Sequence, residues 1–162
     1  MKALIAILLV VVVGCDNAER ISRLEKQTKE LKAEVSKNRA VADYDLDARC
    51  SRDAQAWFNE NYPPDKKTLV LNRTNHYNKS LNKCFVFVEN HYTVWGNLVN
   101  GAWVNDMSVW DVYENSEYGR FTVNHLFSDS KSRDLLIACE LSGKKCTTVE
   151  QFNALVQPYM RN

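Results

Sequence analysis

The distribution of aromatic residues constrains this chain more than any motif in it. All four Trp, all seven Tyr and all six Phe lie from Tyr44 onward. Aromatic side chains carry much of the apolar area of a small core, so residues 1–43 lack the material for one. A globular domain therefore begins close to Tyr44, and residues 44–162 are enough for one domain with its own core. The first 43 residues call for a different reading.

They divide at Cys15. Met1 and Lys2 give a short positive start, residues 3–13 are all aliphatic, and the small residue Gly14 precedes Cys15; this is the layout of a secretory signal with a processing site. A permanent membrane-spanning helix needs about 20 apolar residues, more than this run supplies. The quartet Val12-Val13-Gly14-Cys15 resembles the lipobox of bacterial lipoproteins. That resemblance implies diacylglycerol on the Cys15 sulfur, cleavage after Gly14 and acylation of the freed amine by a fatty acid such as palmitate. Two or three acyl chains, each buried methylene contributing about 0.8 kcal/mol, hold a protein on a bilayer almost irreversibly. Asp16 resembles the residue that retains lipoproteins in the inner membrane of enteric-type bacteria. The expected division is 1–14 signal peptide, 15–43 lipid anchor and helical stalk, and 44–162 a disulfide-linked domain in the periplasm-facing cell envelope.

The stalk is expected to be helical because residues 18–42 contain neither Gly nor Pro. Ile21, Leu24, Thr28, Leu31, Val35, Asn38 and Ala42 follow alternating heptad core positions and so share one narrow stripe. Glu19 with Arg23 and Glu25 with Lys29 are i, i+4 pairs in the favourable order, each adding a few tenths of a kcal/mol. A lone helix of this length is marginal in water, and pairing with copies of itself would stabilise it most. Its reach would be about 35 Å at 1.5 Å per residue. Over these residues alone the arrangement resembles the short lipid-anchored coiled coils of major bacterial outer-membrane lipoproteins, which makes a homo-oligomer through residues 18–42 an expected partner state.

Charge argues against nucleic acid. Residues 43–162 carry 13 Lys and Arg against 15 Asp and Glu, while residues 18–42 carry 7 against 4. The mild positive excess of the stalk suits anionic lipid headgroups better than a phosphate backbone.

With Cys15 assigned to lipid, Cys50, Cys84, Cys139 and Cys146 remain, an even number in an exported chain. Four cysteines allow three connectivities. The segment CELSGKKC contains a Ser-Gly turn that brings its ends together, which favours Cys139 with Cys146 and leaves Cys50 with Cys84. No close ligand spacing accompanies them, and His76, His91 and His125 are scattered, so neither metal nor cofactor is expected.

The domain reads as α+β: an antiparallel sheet of four to six strands, two flanking helices expected on the same face, and two disulfides. Leu46, Cys50, Ala54, Trp57 and Phe58 recur at helical spacing and stop at Tyr62-Pro63-Pro64. KTLVLNRT and KCFVFVEN are strand-like, and the second is apolar in both alternating sets, as a strand covered on both faces should be. HYTVWGNLV, AWVND, SVWDVYEN and YGRFTVNH continue the sheet, with Asn100-Gly101 as a hairpin turn. RDLLIACEL reads as a further strand, and Thr147 with Glu150 as a capping box opens a closing helix over Val149, Phe152, Leu155, Val156 and Tyr159. The segment HYNKSLNKCFVFVE, together with ACELSGKKCTTVEQFNALVQPYM, resembles a group of small exported bacterial proteins that have no assigned activity. Read physically, HYNKSLNKC is an exposed turn with Tyr77 and Leu81 dipping inward.

No catalytic residue is expected, for the chain has no nucleophile elbow, no His-Glu-x-x-His and no Gly-rich phosphate loop. Binding has a better basis. Tyr92, Trp95, Trp103, Trp110, Tyr113 and Tyr118 fall close together, interleaved with Asn97, Asn100, Asn105 and Asp106. Aromatic faces beside amides suit sugar rings or a protein partner. The candidate surface is Tyr92, Trp95, Trp103, Trp110 and Tyr118, and the expected role is a lipid-anchored module for an envelope protein or a peptidoglycan-related glycan. The alternative is a structural spacer that assembles through its coiled coil.

Overall fold

In the computed structural model the helical pattern runs unbroken from Lys2 to Asn61, which is α1. The structure describes residues 2–96, 99–126 and 133–161, and the side chains of 17–95, 101–126 and 134–161. By its contacts the chain divides into two compact units, Met1–Tyr44 and Asp45–Asn162.

Over its described residues the first unit is helix alone. Arg23 Nη2 donates to Glu19 Oε1 at 2.9 Å, one of the i, i+4 pairs read from the sequence. Ile21, Leu24, Leu31 and Val35 are each more than half exposed.

The second unit starts with the rest of α1 and adds strands β1 (Thr68–Asn78), β2 (Lys83–Gly96), β3 (Val99–Asp111), β4 (Ser116–Leu126), β5 (Arg133–Leu141) and β6 (Lys144–Lys145), then helix α2 (Val149–Val156). The strands form one sheet in sequence order, every neighbouring pair antiparallel. Strands β2 and β3 are longer than their separate sequence segments suggest. KCFVFVEN and HYTVWG are one strand, as are AWVND and MSVWD, because Asn90-His91 and Asn105-Asp106 carry turn-prone residues but stay paired, His91 opposite Asn105 and Asn90 opposite Asp106. Asn100 and Gly101 lie in β3, and the reversal falls between Gly96 and Val99, which pair with each other. The reversal itself, residues 97 and 98, is outside the described residues.

The two helices cover opposite faces of the sheet, not one. On the first face, Cys50, Ala54 and Trp57 of α1 pack with Cys84, Val86 and Val88 of β2 and with Tyr77 of β1. On the second, Phe152 and Val156 of α2 pack with Phe85, Met107, Val109, Phe121, Cys139 and Leu141. The reason lies in β2. Successive side chains of a strand point to opposite faces, and Cys84, Val86 and Val88 alternate with Phe85 and Phe87, so both faces need a cover. Complete burial of a side chain such as Phe152 contributes about 1.5–3 kcal/mol, enough to justify docking a helix of only eight residues.

Local chemistry sets the helix ends. Pro63 and Pro64 have no N–H to continue α1, and Asn61 Nδ2 donates to the Trp57 carbonyl at 2.8 Å in the last turn. The N-cap of α2 is Thr148, whose Oγ1 accepts the Gln151 N–H, and Gln151 Oε1 in turn accepts the Thr147 N–H at 2.8 Å. The cap is thus one residue later than the Thr147–Glu150 box. Disulfides join Cys50 to Cys84 and Cys139 to Cys146, the first linking α1 to β2 and the second closing the β5–β6 hairpin. In the turn between β1 and β2, Tyr77 is buried as expected, whereas Leu81 is 46% exposed and lies outside the core.

Candidate functional site

Alternation along the strands separates the five candidate aromatics. Tyr92 and Trp110 lie on the α1 face, and Trp103 and Tyr118 on the α2 face. Trp110 belongs to the core beneath α1, its ring 5.4 Å from that of Trp57 and its Nε1 donating to Ser108 Oγ at 2.9 Å. Tyr118 packs edge-on to Phe85 at 5.0 Å and to Tyr159 at 5.6 Å, beside α2. Trp95 is 69% exposed near the end of β2. The structure does not bring the five together on one surface. Cys15 falls within the span of α1, but its side chain lies outside the described residues.

Trp103 sits on the part of the second face beyond α2. Its ring stacks on His125 with centroids 3.8 Å apart, His91 lies 5.9 Å away, and His125 Nδ1 is 2.6 Å from Asp134 Oδ1. His91 Nε2 and Asn105 Oδ1, from directly opposite residues, are buried without a hydrogen-bond partner.

A concave site does occur on the first face, where α1 ends. The helix covers Cys84, Val86 and Val88, and the same alternation continues to Asn90 and Tyr92, beyond its reach. The chain leaving α1 bends over these residues at Asn61, Tyr62, Pro63 and Asp65. Between that bend and a floor of Leu71, Asn90, Tyr92 and Asp106 lies a cleft of about 370 Å³. Tyr62 is anchored at its edge, its hydroxyl 3.3 Å from Ser108 Oγ. Burial raises the Tyr62 phenol above its usual range, the hydrogen bond to Ser108 opposes this, and the Asp106 charge reinforces it. Burial and then Asp106 raise Tyr92 as well, so both phenols are neutral donors at physiological pH.

Asp106 Oδ1 accepts from Thr122 Oγ1 at 2.6 Å. The Arg120 guanidinium beside Asp106 is held by carboxylates, 3.8 Å from Asp106 and 2.8 Å from Glu117. Partial burial works against its charge, but these two carboxylates outweigh that and raise its pKa. The Oδ1 of Asn90 is buried and has no hydrogen-bond partner. An acceptor in that state costs about 1–3 kcal/mol, so its persistence in the floor of a cleft is informative.

Sequence reasoning picked Tyr92 and placed Asp106 beside the aromatics, but missed Asn90 and the Asn61–Asp65 wall that complete the site. The available signal was parity: Asn90 and Tyr92 continue the buried set Cys84, Val86, Val88. Among the described residues no cluster of three or more His, Cys, Asp or Glu could hold a metal ion, and no helix is long and apolar enough to cross a membrane. No family model, curated protein or solved structure matches this chain.

Proposed function

We propose that this chain is a lipid-anchored binding module of the bacterial cell envelope, attached through Cys15 and presenting its disulfide-linked domain to a ligand of the envelope. The observation that carries the binding reading is the cleft at the end of α1, where Asn90 keeps an unpaired acceptor between two tyrosines and a carboxylate. A concave site with a few convergent polar groups is the usual form of a ligand pocket. The anchoring reading is supported by the residues before Cys15, which fit a processed signal, and by two disulfides, which suit an oxidising compartment. Asp16 favours the inner membrane.

Two measurements test it. Cys15→Ser should abolish palmitate incorporation and leave an unprocessed precursor; labelling at the wild-type level would sink the lipoprotein reading. A photoreactive residue at Thr68, on the rim of the cleft, should crosslink to an envelope component in intact cells, and a clean negative would count against the binding module.

A second reading, a spacer that assembles through residues 18–42, draws on one observation. Ile21, Leu24, Leu31 and Val35 stay exposed along the helix, at the spacing that pairs helices with copies of themselves.

A further inference from the structure

We infer that the cleft between Asn61–Asp65 and the floor of the sheet takes an uncharged, hydroxyl-rich sugar ring. This rests on the reading of the chain as an envelope binding module and names the chemistry of its ligand.

Charge comes first. The side chains that line the cleft include two carboxylates, Asp65 and Asp106, and no cation. Arg120, which lies 3.8 Å from Asp106, is already committed to that carboxylate and to Glu117. An anionic ligand would therefore find no cation in the lining, and a cationic one would find Asp106 already paired and Asp65 exposed to water, so neither sign of charge is favoured.

Hydrogen bonding narrows the class further. Asn90 Oδ1 has no donor of its own among the described residues. Asp65, exposed at the cleft, accepts the Lys67 N–H through Oδ1 at 3.2 Å and keeps acceptor capacity for a ligand. A site rich in acceptors selects a ligand rich in donors, and sugar hydroxyls are donors spaced around a ring.

The walls supply the rest. Tyr62 and Tyr92 are half-buried, so each keeps apolar ring surface at the cleft while its hydroxyl remains a neutral donor. Aromatic faces stack on the C–H faces of pyranose rings, and Leu71 extends the apolar floor. At about 370 Å³ the cleft is near the small end of ligand pockets, a size for one or two rings and not for a folded partner.

The test uses the full-length acylated protein in a sugar-free zwitterionic detergent. Three probes are titrated calorimetrically: an uncharged N-acetylglucosamine trimer, its cationic deacetylated form, and a sulfated, anionic disaccharide. The uncharged trimer should bind saturably, and the sulfated sugar should bind at least tenfold more weakly or not at all. Asn90→Ala and Asp65→Ala should each weaken the trimer about tenfold, as expected for loss of one well-placed hydrogen bond; Asp65→Ala should leave thermal melting unchanged, whereas Asn90→Ala should shift it because a buried unpaired acceptor is removed. Asp65 is exposed, so its variant keeps the test valid if Asn90→Ala misfolds.

Tight binding of the sulfated sugar, preferential binding of the cationic form, or no saturable binding by the uncharged trimer would each overturn the proposal. So would crosslinking from Thr68 to a protein and not to glycan, although that result would leave the envelope module intact. Unchanged palmitate labelling of Cys15→Ser would instead undermine the anchoring reading alone.

Discussion

The ammonium group of Lys83 lies 2.5 Å from the Asp111 carboxylate, which is completely buried at the end of β3. The other oxygen of the same carboxylate accepts the backbone N–H groups of Tyr113 and Glu114 at 3.0 and 3.4 Å. Glu114 Oε2 also reaches Lys83, at 2.7 Å. One charge pair thus joins the start of β2 to the turn after β3.

Removing the cation would strand that buried carboxylate. Lys83→Met should destabilise the protein by about 2–3 kcal/mol near neutral pH, short of the full cost of breaking a wholly buried pair because Lys83 keeps some water contact. Urea unfolding of both proteins measures the difference. The hydrogen bond to Asp111 first, and Glu114 next, hold the Lys83 pKa well above the ordinary lysine value. A raised folded-state pKa gives stability that is intact below about pH 10, the unfolded lysine range, and is lost as pH rises through the folded value. Burial raises Tyr62, Tyr92 and Tyr113 in the same sense. The alkaline fall of stability should therefore be shallower in Lys83→Met but not absent.

The disulfides should differ in worth according to the loops they close. Cys50–Cys84 spans 34 residues and Cys139–Cys146 spans 7. Chain entropy assigns them about 4 and about 2.5 kcal/mol. Paired Cys→Ala substitutions, read by denaturant midpoint, should rank in that order.

Two glycines make a contrasting pair. A Cβ on Gly119 would sit 2.4 Å from the Glu140 carbonyl oxygen and 2.7 Å from Leu141 Cβ, whereas Gly143 has open space but a φ of +78°. Gly119→Ala should cost about 1–3 kcal/mol through overpacking between β4 and β5. Gly143→Ala should cost about 1 kcal/mol through backbone strain alone. Thermal melting separates the two, and equal effects would contradict the close approach at Gly119.

The exposed stripe of α1 should drive association. Leu24→Glu combined with Leu31→Glu should convert an oligomer of the full-length protein in micelles into a monomer by sedimentation. If the wild type already sediments as a monomer, residues 18–42 serve only as a tether.

Strand β2 and the cysteines were the most legible parts of the sequence. A strand apolar on both sides demands two covers, and the Ser-Gly turn in CELSGKKC favours closure of that segment on itself. What the sequence obscured follows from polar residues in regular strands. Asn90-His91 and Asn105-Asp106 look like turns, yet pair in the ladder, so the sheet appears more fragmented than it is. The opposite placement of the helices was implicit in β2 and was still missed, because helix order along the chain says nothing about faces. The cleft was hidden for a related reason. It depends on the point where α1 stops, at Tyr62-Pro63, relative to the alternation of β2, and proximity in sequence groups Tyr92 with Trp110 and Tyr118, which the fold sends elsewhere.

The bond between Cys50 and Cys84 also decides how the domain bears a pull. Tension entering along α1 passes from Cys50 straight into β2 through the sulfurs, so residues 51–83 form a slack loop outside the load path. That loop holds Trp57, the Asn61–Asp65 bend and all of β1, while the load continues along β2 toward Asn90. A ligand gripped at Asn90 would thus be tethered through covalent bonds and one internal strand, and the wall of the cleft would keep its shape under strain.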